Sequence, residues 1–546
     1  MRAGRSLIDD HSIAPISAGA LDLPAVGLKK VLGREVSLTR RQADQARFPI
    51  WDTEGWNLSE ESLDTSNPSL FALLVSAAER FPSRIAVTTA TETVRYAELL
   101  DLARRYAGWL QNRGLGRGHR VAASAESSVD FVALLWATSL VSATLVPLNP
   151  MSTTAAQDRV VTDSNASSVI RSGPTPDRHG EISWASVADQ VRTTPPYRGG
   201  ELAVPGDIGL LIYTSGTTAI PAGIMCSMEQ ISFATAAIQD RLGYREDDVV
   251  LSFLPLTFDY GIYQVFLCAA GGASLVLRSR QLLPRIVQLM EEHHVTILPG
   301  MPQLDSILLA SFSRHPATLA LRLITNTGEV LSRPMQSELA AAFPSASVAL
   351  MYGLTECKRV SIGVYPARLL PRDDVGCPLD GTEVRVLGID GAIARHSQVG
   401  ELVIIGPTVT DGYVGGHREG IRFTTSSTTG ARMLWTGDYG RVDSEGRLYV
   451  EGRRDEIFKL RGLRVSAAEI EAAAVEISGV RAARVELDAA RAPVLWIASD
   501  RSAAEIGGEL LRLLEREKIP ADIRIVKDLP ITPHGKVARN PSAYDS

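Results

Sequence analysis

The segment Tyr213-Thr-Ser-Gly-Thr-Thr218 sets the hydroxyls of Thr214, Ser215, Thr217 and Thr218 around Gly216. It follows the apolar run Ile208-Gly-Leu-Leu-Ile-Tyr213. An apolar run that opens into small hydroxyl residues reads as a buried strand ending in a tight loop. Such a loop offers O–H and backbone N–H donors, and Gly216 lets a ligand approach the main chain closely. Binding of a triphosphate is the chemistry that suits it. Further polar motifs follow in order: Tyr352-Gly-Leu-Thr-Glu356, Thr436-Gly-Asp438, Gly452-Arg-Arg-Asp455, Lys459-Leu-Arg-Gly462 and Thr532-Pro-His-Gly-Lys536.

The elements that must hold these motifs alternate in type. Helical periodicity from about Asn67, closed by Pro82, precedes a strand at Ile85-Ala-Val-Thr-Thr, and Tyr96 to Arg113 is again helical. Gly114-Leu-Gly-Arg-Gly118 follows a helix and precedes a strand, so it is a turn and not a dinucleotide fingerprint. Strand-like runs recur at Val250-Leu-Ser-Phe, Ala273-Ser-Leu-Val-Leu, Val295-Thr-Ile-Leu and Leu321-Arg-Leu-Ile. This predicts an α/β protein with mostly parallel strands. After about Asp380, short strands separated by Gly and Asp predict a small β-rich subdomain, with Thr424 to Gly430 as a polar loop. From about Arg454, strand and helix patterns (Ala467 to Val475, Glu505 to Glu517) predict a small α+β C-terminal domain. The expected domains are an N-terminal extension at 1–65, a large domain at 66–453 and a mobile lid at 454–546.

The six motifs, in this order over roughly residues 66 to 546, resemble the adenylate-forming superfamily: acyl-CoA synthetases, peptide-synthetase adenylation domains and luciferase. The resemblance implies attack of a carboxylate on the α-phosphate of ATP, with Mg²⁺ as cofactor. Two anions must meet, so the site needs a cation, phosphate donors and positioning. Carried over by motif, Thr214 to Thr218 would receive the phosphates, Thr355 the α-phosphate, and Glu356 the metal, a hard oxygen ligand beside phosphate oxygens. Tyr352, with Gly353 beside it, would stack on adenine, and Thr327, Gly328 and Glu329 would line the adenine pocket. Asp438 and Arg453 would hold the ribose; the alternative is a surface turn and a surface salt bridge. Lys536 would bridge substrate carboxylate and α-phosphate, a task suited to a point charge on a long stem. Asp455 would be the hinge of the lid, and Gly462 would line a channel for a pantetheine thiol in a second half-reaction.

One departure stands out. The family loop continues Gly-x-Pro-Lys-Gly, whereas this chain reads Ala219-Ile-Pro-Ala-Gly223, so Ala222 replaces the phosphate lysine. Arg359 or Lys358 could substitute, or the chain is a slow or degenerate nucleotide-binding homologue.

Phe258-Asp259 resembles the Phe-Asp of amino-acid-activating domains, where the aspartate pairs with the substrate α-ammonium. A carboxylate in an apolar pocket needs such a cation. The alternative is that Asp259 caps a helix starting at Tyr260. By motif alignment, Tyr260, Tyr263, Thr327, Met351 and Val360 line the pocket. Lys358-Arg359 reads as a solvated pair; an inward Arg359 would instead suit a second substrate carboxylate.

Bulk properties agree with an ordinary enzyme. Among 546 residues, 45% are hydrophobic and 22% charged, and the net charge of −6 argues against a nucleic-acid or anionic-membrane partner. No apolar run approaches the roughly 18 residues of a membrane span. Asp9, Asp10 and His11 break any signal-peptide pattern. Cys226, Cys268, Cys357 and Cys377 show no C-x-x-C spacing and read as reduced thiols in a cytoplasmic protein. The expectation is an AMP-forming ligase for a small acid, most simply an amino acid. The acyl group would pass to a free-standing carrier protein or to CoA, since no carrier domain follows Ser546. An acyl- or aryl-CoA ligase is the alternative.

Overall fold

The computed structural model describes residues 70–530, except 174–180, 200–202, 215–221, 389–391, 417–420, 427–429, 454–456, 461–462 and 489–491. The elements below belong to the compact unit made of residues 59–425 and 431–546.

Apolar runs without alternation form strands covered on both faces. Thr144–Leu148 is buried at every position and Arg120–Ser124 at all but its first. They lie centrally in a six-stranded sheet ordered Glu181–Ser183, Ser168–Arg171, Arg120–Ser124, Thr144–Leu148, Ile208–Thr214 (β1), Ala222–Ser227 (β2). All neighbours are parallel until the last pair, where β2 returns antiparallel to β1 and sets Ala222 opposite Thr214.

A nine-stranded sheet runs Thr93–Arg95, Ile85–Thr88, Ser274–Leu277, Val249–Ser252, Ile297–Gly300, Leu323–Asn326 (β3), Ser347–Tyr352 (β4), Ser361–Pro366 (β5), Cys377–Pro378. Its interior is parallel, and its edges are antiparallel. The helix Asp259–Gly271 (α1) is buried along nearly its whole length, and Pro302–Arg314 (α2) starts with proline at its first turn, where the missing N–H costs nothing. Phe266 of α1 meets Trp136 edge-on at 5.4 Å, one of the larger contacts fixing that helix.

The β-rich segment expected after Asp380 is a five-stranded sheet of antiparallel pairs. Its long strand Arg432–Val442 (β6) pairs with Leu448–Arg453 (β7), opposing Asp438 to Arg453. Thr424 and Thr425, expected in a loop, belong to a strand that pairs with β6; β-branched threonines fit a half-exposed edge. Beyond β7, Val480–Leu487, Pro493–Ser499 and Asp522–Val526 form a separate three-stranded sheet with helices Ala467–Val475 and Ala503–Leu513. The last helix begins at Ala503, because Ser502 and Glu505 make a capping box, and it ends at Leu513 rather than running to Glu517. These helices and strands share an apolar core that includes Ile470, Leu495, Ile497, Ile506 and Leu510. Gly452 of β7, at φ 138°, lies where a Cβ would come within 2.6 Å of the Ser466 hydroxyl, which itself donates to the Glu451 carbonyl. Among the described residues, no helix is long and apolar enough to cross a membrane.

Candidate functional site

Parallel sheets deliver ligand-binding residues at the carboxyl ends of their strands. β1 ends at Thr214, and β4 ends at Tyr352 and leads into the loop of Gly353 to Val360. Ser215, Gly216, Thr217, Thr218, Asp455, Gly462 and Lys536 lie outside the described residues, as do residues 1–65 and the side chain of Thr214.

Tyr352 and Asp438, 86 residues apart in sequence, meet in the interior: the tyrosine hydroxyl donates to Asp438 Oδ2 at 2.6 Å. Asp438 is buried within β6, its N–H donates to Thr436 Oγ1, and Arg453 Nε stands 3.8 Å from its Oδ1. The surface-turn alternative for Asp438 is therefore overturned. Burial, then the Asp438 charge, pushes the Tyr352 hydroxyl well above its ordinary range, so it remains a donor.

The loop after β4 is tight. A Cβ at Gly353 would lie 2.0 Å from the Lys358 carbonyl oxygen, so only glycine fits. Thr355 and Glu356 are both buried, and Glu356 Oε1 accepts from Tyr413 at 2.6 Å. The Glu356 carbonyl accepts from Thr410 N–H at 2.9 Å. Thr410 Oγ1 and Thr327 Oγ1 are buried without a hydrogen-bond partner among the described residues. Orphan hydroxyls at this depth are costly unless a ligand satisfies them. A polyphosphate nucleotide, with a metal on Glu356, fits that donor set. Gly328, at φ 91°, and the half-buried Glu329 follow Thr327 beyond the end of β3.

The second cluster lies at the start of α1. Asp259 is 2% exposed and is the first helical residue, the cap position being Phe258. The expected helix start at Tyr260 is thus one residue late, although Asp259 Oδ1 does accept from the Tyr260 N–H. Arg359 is buried, 3.6 Å from Asp259 Oδ2, with its guanidinium 4.9 Å from the centre of the Tyr260 ring. Lys358 is 1% exposed and donates to Thr355 O at 3.0 Å and to Cys226 Sγ at 2.8 Å. The solvated reading of Lys358-Arg359 is therefore wrong: the loop folds both inward, because internal acceptors await them. Both cations considered as substitutes for the missing phosphate lysine are paired elsewhere. Tyr260 donates to Thr325 O at 2.9 Å. Tyr263, Met351 and Val360 are buried, and the Tyr263 hydroxyl has no partner among the described residues.

Tyr413, Thr410, Thr325 and Cys226 escaped sequence reasoning. Each contributes one side chain from a segment without a recurring pattern, so spacing carried no signal of their convergence.

These two clusters, set at strand ends of an α/β body followed by a small C-terminal sheet, define an adenylate-forming protein. Residues 74–414 match the model of the AMP-binding enzyme family, and the chain belongs to that family. It is 29% identical over 505 residues to a plipastatin synthase polypeptide of Bacillus subtilis, covering 88% of this chain but 19% of that protein. It thus spans about a fifth of that relative's length. It is 27% identical to the L-proline--[L-prolyl-carrier protein] ligase of Pseudomonas fluorescens, covering 72% of this chain and 81% of the relative. Among solved structures, VinN in complex with L-aspartate is 31% identical, with a TM-score of 0.62, 70% of this chain covered and 98% of that one.

Proposed function

We propose that this protein activates an amino acid bearing a second carboxylate, joining it to AMP with release of pyrophosphate, and passes it to a phosphopantetheine thiol of a carrier protein. The observation that carries the reading is the buried Asp259–Arg359 pair beside Tyr260. At 3.6 Å the pair is looser than a hydrogen-bonded bridge. A substrate ammonium satisfies Asp259, and a substrate carboxylate satisfies Arg359. Each buried charge then keeps a partner. The L-aspartate complex of VinN and the carrier-protein ligase from Pseudomonas support the same class.

In this reading the remaining substrate carboxylate oxygen attacks the α-phosphorus, a new P–O bond forms, and the bond to pyrophosphate breaks. Thr355 and the 214–218 loop donate to phosphate oxygens, Asp438 and Arg453 hold the ribose, Thr327 to Glu329 and Tyr352 flank the adenine, and Lys536 steadies the entering carboxylate. Glu356, oriented by Tyr413, would hold magnesium, which supplies charge neutralisation at the phosphates. The chain would divide near residue 454, with Asp455 as the hinge of a lid that brings Lys536 in and out.

Pyrophosphate exchange with a panel of acids tests this. Acidic amino acids should exchange fastest. Exchange only with neutral amino acids, or only with aryl or fatty acids, would overturn the assignment. Lys536→Ala should lower exchange by about a hundredfold or more, the scale of losing one charge-stabilising contact.

A further inference from the structure

Lys358 adopts φ 61°, the left-handed region that side-chain-bearing residues seldom occupy. That turn sends its side chain inward, where a lysine ammonium is costly unless paired. Its partners among the described residues are one carbonyl and one sulfur, Thr355 O and Cys226 Sγ. Cys226 is itself fully buried on β2. Burial pushes its thiol up, and the Lys358 ammonium pulls it back toward ionisation.

The separation is informative. N–H···O bonds measure about 2.7–3.2 Å. Sulfur is larger than oxygen, so an ordinary N–H···S contact is longer than that. Yet Nζ and Sγ stand 2.8 Å apart. This is too far for a direct sulfur–nitrogen bond but matches the span of two single bonds meeting at an oxygen. Cys226 and Lys358 are both buried, so each is the other's neighbour rather than a partner of solvent.

We propose that Cys226 and Lys358 are the two ends of an oxidatively formed nitrogen–oxygen–sulfur bridge. The nitrogen that reacts is the neutral amine of Lys358. The amine, the thiol and one dioxygen molecule then give the Lys358 N–H, one oxygen and Cys226 sulfur in a chain, plus one water. The N–O and S–O bonds form; one N–H, the S–H and the O–O bond break. Sulfur and nitrogen each lose two electrons, and dioxygen accepts all four. The bridge ties β2 to the loop holding Thr355 and Glu356, and it removes a cation from their midst. In the proteolysed protein, two molecules of a dithiol such as dithiothreitol supply the four electrons and four hydrogens that restore amine and thiol and release the oxygen as water.

The test is mass spectrometry of proteolysed full-length protein after incubation in air-saturated buffer. The expected product is a peptide containing residue 226 joined to one containing residue 358, heavier by one oxygen and lighter by two hydrogens than the unmodified pair. Dithiothreitol should separate the two, and Cys226→Ser should give no joined product. Separate peptides, oxygen on Cys226 alone, or a joined pair lacking the extra oxygen would each overturn the proposal. The wild-type product is read directly, so misfolding of the variant does not blunt the test, and no substrate is needed, so the result is independent of the proposed activity.

Discussion

At the scale of single residues, the site is a set of buried charges that complete one another. Among the described residues, Arg359→Met leaves Asp259 buried against only its Tyr260 N–H, and breaking a buried pair this way costs about 3–5 kcal/mol. We expect exchange with acidic amino acids to fall by about a hundredfold or more, the order seen when a buried polar group loses its substrate partner. Exchange with neutral amino acids, measured in parallel, should fall less. Equal losses would show that Arg359 acts on the scaffold alone. These residues were singled out in the sequence by resemblance: Asp259 by the Phe-Asp pair, and Tyr352, Glu356 and Asp438 by their motifs. The inward turn of Lys358 and Arg359 was not, because an adjacent basic pair looks the same in sequence whether water or a carboxylate faces it. Tyr413 was illegible for a different reason: its contact with Glu356 joins segments 57 residues apart that share no pattern.

At the scale of elements, the β1–β2 hairpin and the loop after β4 set what the phosphates would meet. Ala222 begins β2 opposite Thr214, directly after residues 215–221 in sequence, and is half-buried. Ala222→Lys supplies a cation there, and a charge-assisted contact to phosphate is worth enough to speed adenylation about tenfold. Pyrophosphate exchange at saturating acid measures it, and an unchanged or slower rate would show that the loop already has its full charge complement. Gly353→Ala works in the opposite direction. The added methyl meets the Lys358 carbonyl, so the loop must open at a cost of about 1–3 kcal/mol and Thr355 and Glu356 shift with it. Lower exchange with a lowered thermal midpoint is the expected pair of results. Periodicity located β1 well, since it ends within a residue of the predicted boundary, but gave no strand at β2 or β4. It misjudged the ends fixed by capping chemistry, as at Ser502, and the edge strand Arg422–Thr425, whose hydroxyl-rich sequence resembles a loop.

At the scale of the whole molecule, stability should carry the imprint of a buried acid that belongs to no motif. Asp305, on α2, is wholly buried; its Oδ2 accepts from Asn326 Nδ2 at 3.4 Å, and its Oδ1 has no partner among the described residues. Desolvation raises its carboxyl to about 8. An unfolded aspartate titrates near about 3.9, so between these values the folded protein holds a proton that the unfolded chain has lost. Stability contributed by this group therefore declines as pH rises through that window and levels off above it. Asp305→Asn removes the titration, and the thermal midpoint should then fall less between about pH 5 and pH 8 than in the parent. A wild-type slope in the variant would mean other groups dominate. Nothing in the sequence flagged Asp305, because one acid on a helix ordinarily faces water. The layered α/β plan, by contrast, was plain from the apolar runs, which bury both faces and leave little freedom in how the layers stack.

Gly452 joins two jobs on one short stretch of backbone. Its neighbour Arg453 faces Asp438, while its own bare Cα is pressed against Ser466 at the threshold of the helix beginning at Ala467. On the proposed reading, grip on the nucleotide sugar and seating of the terminal sheet thus share a lever one residue long. A methyl placed there should disturb both together, and sugar-modified nucleotides should in turn alter how readily proteases cut just beyond it.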